Sequence, residues 1–471
     1  MIDEFLKYEQ ENNLLNEKWD DFYYWNYIRF FIYRNIEKKT NGFQQDHPNK
    51  KNRKIDRIHQ LCKFSKYTLV NNPLYNIKQK DVIIINHERK IKNDNNYICM
   101  YSGIISSHLK SSYYIFDSPY RNSHVLKSGE NILFLEYINV ISKIKTLYIK
   151  ICRKYKLNDQ QLKKINKILD DLNEIYGVKI DKKYIINELL NMKFKYKIVY
   201  KLYLNLLKKI QPKFLFEVVH YKFETMVLNE VCKELNIEVI EIQHGIIGKE
   251  HIAYNFLRSE INHFPDKLLC FGDYWTENER IPLKKENIIA MGFPYLENEK
   301  ERIKDNIYYT DKKYVLFLSQ GTIGEKLSIV AKRLSEILPD SYEIIYKLHP
   351  SEYEVWEKNY PWLKCVSNIH VVDNNLKSIY YYFSISFTQV GVYSTALLEG
   401  LAFNLPTFIM DSNLKYHIQF LLDSEEAKLF KSEDELVNLI LEEEEKRINK
   451  SVYWQSNSKD NYKNLLKELG I

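Results

Sequence analysis

From residue 82 onward, short apolar runs alternate with longer stretches of helical periodicity. The runs at 82–85, 113–116, 132–135, 214–219, 238–243, 267–271 and 287–291 are rich in Ile, Val, Leu and Phe. Each is too short for a buried helix, so each predicts a strand. A second series follows at 314–318, 343–347, 369–372, 384–388 and 407–410. Helical periodicity marks 224–235, 325–337 and 395–402, and 138–210 reads as mainly helical and basic. Apolar strands separated by helices predict parallel sheets covered on both faces.

Two such blocks, joined near 295–312, predict an α/β protein of two Rossmann-like domains facing across a cleft, with an N-terminal helical extension. The boundaries are 1–75 for the extension, 76–300 for a first domain with a basic helical insertion, and 301–471 for a second domain with closing helices at 433–450 and 460–469. Within the extension, residues 19–31 carry aromatics nearly all round a helix (Trp19, Phe22, Tyr23, Tyr24, Trp25, Tyr27, Phe30, Phe31). Such a helix is buried against a larger body. The polar, Lys/Asn-rich stretch at 38–54 reads as a loop.

Composition narrows the class. The chain has 471 residues, 45% hydrophobic and 28% charged, enough for real cores and unlike a disordered or disulfide-scaffold protein. A net charge of +7 is mild for this length. It suits an enzyme of anionic small molecules, or one touching an anionic membrane, and falls short of a nucleic-acid binder. The six cysteines are far apart and lie mostly in apolar runs, as buried hydrophobes of a reducing compartment do. No stretch is long and apolar enough to span a bilayer, and the N-terminus lacks a signal-peptide pattern. The expected location is the cytoplasm, with peripheral contact at the inner membrane face through the basic helices at 143–164.

In open α/β sheets ligands bind beyond the carboxyl ends of strands, and four strand ends carry candidate chemistry. In the second block, Ser319-Gln320-Gly321-Thr322-Ile323-Gly324 is a small-residue turn that lets backbone amides approach a phosphate, or simply connects two elements. Lys347-Leu348-His349-Pro350 delivers His349 to a strand end, and Pro350 fixes the exit. The ring can donate to a phosphate oxygen or serve as a cap. Ser394 fits the N-cap of an apolar helix, with Thr395 beside it and Glu399 one turn on, within reach of a ribose. In the first block, Gln243-His244-Gly245 ends a strand, followed by His251 and Tyr254. His244 can take a proton from an acceptor hydroxyl or equally hold an anionic donor group as a hydrogen-bond donor, with Glu217 and His220 as second candidates for base or orienting partner. No metal-ligand cluster is seen, and no cofactor is expected.

These pieces, together with Pro265-Asp266-Lys267-Leu268-Leu269-Cys270-Phe271-Gly272 and Met291-Gly292-Phe293-Pro294, resemble GT-B-type glycosyltransferases of bacterial capsule and lipopolysaccharide synthesis. The resemblance covers roughly residues 210–410. The His-Pro and Ser/Thr elements resemble those of CMP-sugar enzymes, the sialyl- and Kdo-transferases. It implies a nucleotide-sugar donor held by His349, Ser394 and Thr395, and an oligosaccharide or lipid-linked glycan as acceptor. The acidic-acidic-Gly element that supplies the base in the sialyltransferases does not occur here. Similar elements appear in CDP-glycerol-type phosphotransferases and in UDP-sugar 2-epimerases.

Overall fold

Val82-Ile83-Ile84-Ile85 has no polar position to turn towards water, and it is buried throughout as strand β1 (Val82–Ile85) of a parallel sheet. The computed structural model describes the chain except residues 42–67, 70–71, 89, 94–95, 120–123, 127–129, 153, 305–310 and 444–451. Most of the 38–54 stretch therefore lies outside the described residues. After β1 come a small antiparallel pair, β2 (Ile91–Asn93) and β3 (Asn96–Ile98), then β4 (Tyr113–Asp117) and β5 (Ile132–Phe134). β6 (Phe214–Glu217), β7 (Glu238–Ile242), β8 (Lys267–Cys270) and β9 (Ile288–Ala290) complete the first sheet. Its seven strands run in the order β5-β4-β1-β6-β7-β8-β9, all parallel. The winding reverses between β1 and β6, which makes their carboxyl ends the switch point where such sheets open a crevice.

The second sheet repeats this plan. It holds β10 (Lys313–Leu318), β11 (Tyr342–Lys347), β12 (Ile369–Val372), β13 (Ser386–Gly391), β14 (Thr407–Met410) and β15 (Ala427–Phe430). Their order is β12-β11-β10-β13-β14-β15, again parallel, with the reversal between β10 and β13. Two Rossmann-like units are what the alternation in the sequence predicts.

The chain divides into two compact units. The first holds Met1–Thr40, the described part of Lys51–Pro294, and Gln455–Ile471; the second holds the described part of Tyr295–Trp454. The last segment thus returns to the first unit, whereas the pattern in the sequence places all of 301–471 in the second. The helix Ser458–Glu468 puts Tyr462, Leu465 and Leu466 into the core that contains Val82, Ile84, Ile240 and Leu269. Gly292 explains how the return is accommodated. Its φ of +86° and its contact with the returning segment leave no room for a side chain, since a Cβ would come within 2.3 Å of the Gln455 carbonyl.

The N-terminal extension is buried against the first unit, as its aromatics require. Phe5 stacks on Trp25 at 5.9 Å, and Trp25 Nε1 donates to Glu9 at 2.6 Å. Arg29 makes a two-pronged pair with the same carboxylate at 2.7 and 2.8 Å, and also donates to the carbonyls of Ile252 and Asn255. Both charges are almost fully buried. A buried Arg is tolerable because each of these donors finds an acceptor, and the price is a fixed position for the loop that follows β7.

Four further elements differ from the pattern in the sequence. The stretch 384–388 begins inside a helix, Ile379–Ile385, and the strand follows it. β15 and the β2–β3 pair were not expected from the pattern. β6 stops at Glu217, because Val219 turns to a φ of +78°.

Candidate functional site

In the second unit, β10 lies between β11 and β13, so the three sequence-predicted elements leave adjacent strand ends. Glu352 organises them. This buried carboxylate accepts the Ser319 hydroxyl at 3.0 Å, the Tyr360 hydroxyl at 2.8 Å and the His349 backbone N–H at 2.8 Å. Three donors on one carboxylate fix the exit of both strands. Gly324 is required beside it, because a Cβ there would fall 2.2 Å from both Glu352 Oε1 and the Tyr360 hydroxyl oxygen. The Ser319 hydroxyl, expected at the donor, is thus turned inward as a brace, and Ser319 is buried. Pro350 is exposed at the exit of the turn.

The ring of His349 is partly exposed, and its Nδ1 accepts the Ser351 backbone N–H at 3.2 Å with the Ser351 hydroxyl at 2.7 Å. A backbone N–H can only donate, so the neutral ring carries its proton on Nε2. Across the winding reversal, Thr322 and Tyr393 share a hydrogen bond at 2.7 Å, joining the turn after β10 to the turn after β13. Ser394 then caps the helix Thr395–Leu401 by accepting the Ala396 N–H at 3.2 Å. That helix has seven residues, so the Ser394 and Thr395 hydroxyls matter more than a summed dipole. Gly321, exposed, and Thr322, half-buried, complete the turn. Glu399 is half-buried; burial lifts its carboxyl to about 7, and the Tyr380 hydroxyl partly offsets this. Lys347, at the end of β11, donates to the Tyr353 hydroxyl at 2.6 Å and to the Asn374 carbonyl at 3.0 Å. Burial lowers its ammonium to about 8, against the pull of Asp373.

In the first unit, Glu217 and Glu241 are register partners on β6 and β7 and share one face of the sheet. Two ionised carboxylates cannot share so dry a place. Burial, then the charge of Glu241, pushes Glu217 well above its ordinary range. Burial also opposes the charge of Glu241, but His220 outweighs it and holds that carboxyl below its ordinary range. The pair thus keeps one proton, on Glu217, whose carboxyl accepts from Asn229 at 2.7 Å.

His220 is fully buried. Its Nδ1 donates to Glu241 at 2.7 Å and its Nε2 to the Ala253 carbonyl at 3.2 Å. Both nitrogens are thus engaged inside the core, out of reach of a substrate. Tyr254, also buried, donates to Glu241 at 2.8 Å. Gln243 is buried too; it donates to the Gly245 carbonyl and accepts the Phe271 N–H, both at 2.7 Å. Glu217, His220, Gln243 and Tyr254 are therefore corrected from reacting or lining groups to an interior scaffold.

What that scaffold presents is His244, partly exposed after β7, with Gly245 beside it. The Tyr221 hydroxyl lies 3.3 Å from His244 Nε2. Burial, then Glu241, raises that phenol, so it stays protonated. His87 stacks near His244 with centroids 5.8 Å apart, and Tyr101 meets the ring edge-on at 6.2 Å. His251 faces Tyr221 at 5.3 Å. The turn that delivers Tyr221 contains Val219 at positive φ, a costly conformation for a β-branched residue. Thr225 pins that turn by donating to the carbonyls of Val219 and His220. His87, Tyr101, Tyr221, Glu241 and Glu352 were missed by sequence reasoning. Only Glu352, three residues after the histidine of a His-Pro turn, carried a local signal.

At the first sheet's own switch point lies a pocket of about 340 Å³, lined by Asn86, Asp117, Glu136, Lys143, Lys222 and Thr225 among others. Its wall is a buried charge chain. Lys90 pairs with Asp117 at 2.8 Å, and His124 bridges Asp117 at 2.8 Å and Glu136. Burial opposes the charge on His124, but the two carboxylates outweigh it and lift the ring to about 9. Among the described residues, no group of three or more His, Cys, Asp or Glu is placed to hold a metal ion, and no helix is long and apolar enough to cross a membrane. Five described cysteines are free thiols, with Cys99, Cys232 and Cys270 buried and Cys152 and Cys365 exposed; Cys62 lies outside the described residues.

No protein-family model matches this sequence, and no curated protein matches it. Solved structures do. The UDP-GlcNAc 2-epimerase of Methanocaldococcus jannaschii superposes with a TM-score of 0.51 at 11% identity, covering 83% of this chain and 99% of that one. The Neisseria meningitidis UDP-GlcNAc 2-epimerase bound to UDP-GlcNAc gives 0.42 at 12% identity, covering 64% and 88%. The wall teichoic acid polymerase TagF gives 0.38 at 13%, covering 88% and 92%. At 11% identity the Methanocaldococcus likeness speaks for the fold alone: two Rossmann-like α/β domains of the GT-B kind.

Proposed function

We propose that the protein is a GT-B-type glycosyltransferase that takes a sugar from a nucleotide-sugar donor to a bacterial surface glycan acceptor of capsule or O-antigen type. The donor belongs to the second unit and the acceptor and base to the first. A CMP-activated sugar such as CMP-sialic acid is the donor favoured by the His-Pro and Ser/Thr elements.

One observation carries the reading. At the switch point of the second sheet, a buried carboxylate fixes the His349 turn while the ring's own partners leave its proton on Nε2, and the Thr322–Tyr393 bond joins the neighbouring turns. In the reaction, the acceptor oxygen bonds to the anomeric carbon as the bond from that carbon to the phosphate oxygen breaks. Negative charge then grows on the departing nucleotide. His349 and the hydroxyls of Ser394 and Thr395 donate to its phosphate oxygens. Glu399, protonated or ionised near neutrality, takes a ribose hydroxyl. His244 takes the acceptor proton, oriented by Tyr221. The 340 Å³ pocket, lined by both charged and apolar side chains, suits part of a polyhydroxylated acceptor, with Glu136 accepting hydroxyls.

Turnover with CMP-, UDP- and GDP-sugars and an oligosaccharide acceptor tests this. Sugar transfer with one of them supports it; no transfer with any of the three overturns it. A CDP-glycerol or CDP-ribitol donor with phosphate in the product marks a polyol-phosphate transferase instead. His244→Ala is expected to lower kcat by about 10²- to 10⁴-fold with donor binding unchanged.

A further inference from the structure

The helix Glu136–Ile151 is turned inside out along its second half. Its inner face carries small polar residues: Ser142 and Thr146 are 1% and 5% exposed, and the Thr146 hydroxyl has no hydrogen-bond partner among the described residues. Its outer face carries Ile144, Leu147, Tyr148 and Ile151, which are 63%, 57%, 68% and 70% exposed. Spacings of three, one and three residues put these four on a single stripe, since successive positions turn by about 100°. Lys143 and Lys145 flank the stripe on its two sides, and Lys150 lies beside it. Scattered exposed apolar residues need no explanation, but a continuous large stripe on one helix does.

We infer that this helix face is a docking surface for a bilayer carrying anionic lipid. The reading is independent of the proposed reaction. An interfacial helix has an apolar stripe that enters the acyl boundary and basic residues whose long stems lift their charges to the headgroups. The charge pattern matches that partner. Between Glu136 and Asp159 the sequence has six Lys or Arg residues and no Asp or Glu. Lys145 also shares a groove of about 700 Å³ with Lys197 and Lys201 of the helix Lys182–Ile210.

The acidic groups at that groove are Asp21 and Glu234, and both are engaged. Asp21 pairs with Lys197 at 3.6 Å, and Glu234 accepts from Tyr200. A second copy of the chain fits the stripe less well than lipid. Two-fold pairing would bring the same lysines of both copies together, a like-charge arrangement.

Sedimentation of the full chain with vesicles tests the surface. One set is phosphatidylcholine alone and the other contains one-quarter phosphatidylglycerol. The wild type is expected to partition at least about ten-fold more to the anionic set, and less as salt rises. The double variant Leu147→Glu/Ile151→Glu is expected to lose about ten-fold or more of that binding, with unchanged circular dichroism because both positions are exposed. Lys145→Glu and Lys150→Glu are each expected to weaken it about five-fold or more. Equal partitioning to both sets, or an unaffected double variant, overturns the inference. So does a concentration-dependent dimer by light scattering that the double variant makes monomeric, which would assign the stripe to a second copy.

Discussion

The two sheets have the same winding, and each brings a histidine beside a buried glutamate at a strand end, yet the histidines are used in opposite ways. In the first unit Glu241 grips the ring of His220 and removes it from chemistry. In the second unit Glu352 grips only the backbone of His349, and the ring stays partly exposed. The difference teaches that a histidine at a strand end is defined by which of its atoms the carboxylate holds. The first unit exposes a ring only at a second histidine, His244; the second unit exposes its first.

Cutting each carboxylate sharpens this contrast. Glu241→Ala strands the buried His220 ring and the Tyr254 hydroxyl, and should cost about 3–5 kcal/mol. Glu217→Gln, by contrast, replaces a carboxyl that is already protonated and should cost under about 1 kcal/mol. Denaturant titration of the two variants checks both; equal losses would break the account of the shared proton. Glu352→Ala comes next, at about 2–4 kcal/mol, because it leaves three donors without their acceptor. It should also weaken nucleotide binding, while Glu241→Gln should not. Calorimetric titration of nucleotide into both variants separates them.

A smaller effect comes from His124, which belongs to the first unit alone. Its ring is raised to about 9, so its stabilising contribution is full below about 6.5 and is lost as pH rises through about 9. His124→Gln should therefore lower the melting temperature by a few degrees at pH 6, and the gap to wild type should close by pH 10. Thermal melts across that range read it directly. Smallest is Ser394→Ala, which removes a cap worth about 1 kcal/mol and should weaken nucleotide binding several-fold as well. A variant that loses stability and keeps full nucleotide affinity would leave Ser394 as a cap only.

The fold was legible because strand length and apolar content survive in any parallel sheet: every strand of 82–85, 238–243 and 407–410 type was found within a residue or two. The edge pieces were not. β15 reads Ala-Lys-Leu-Phe, with a lysine at an exposed edge position, and resembles a turn. The tail was misplaced because the contact of Ser458–Glu468 with the first core is set by Gly292, far away in sequence. At the site, residue type gave His349, Ser394 and His244 as candidates. It could not separate them from His220 and Gln243, because burial and hydrogen-bond direction are properties of the assembled sheet.

The central claim is that the second unit's switch point holds a pyrimidine nucleotide through His349. Melting temperatures of wild type and His349→Ala with CMP, CDP, UDP and GDP test it most directly, since a ligand at about 100 times its Kd adds about 2.7 kcal/mol to the folded state. The account predicts that a pyrimidine nucleotide raises the wild-type melting temperature, and that His349→Ala loses at least about ten-fold in affinity with its unliganded melt unchanged. Equal stabilisation of both proteins, or none by any of the four, would contradict it.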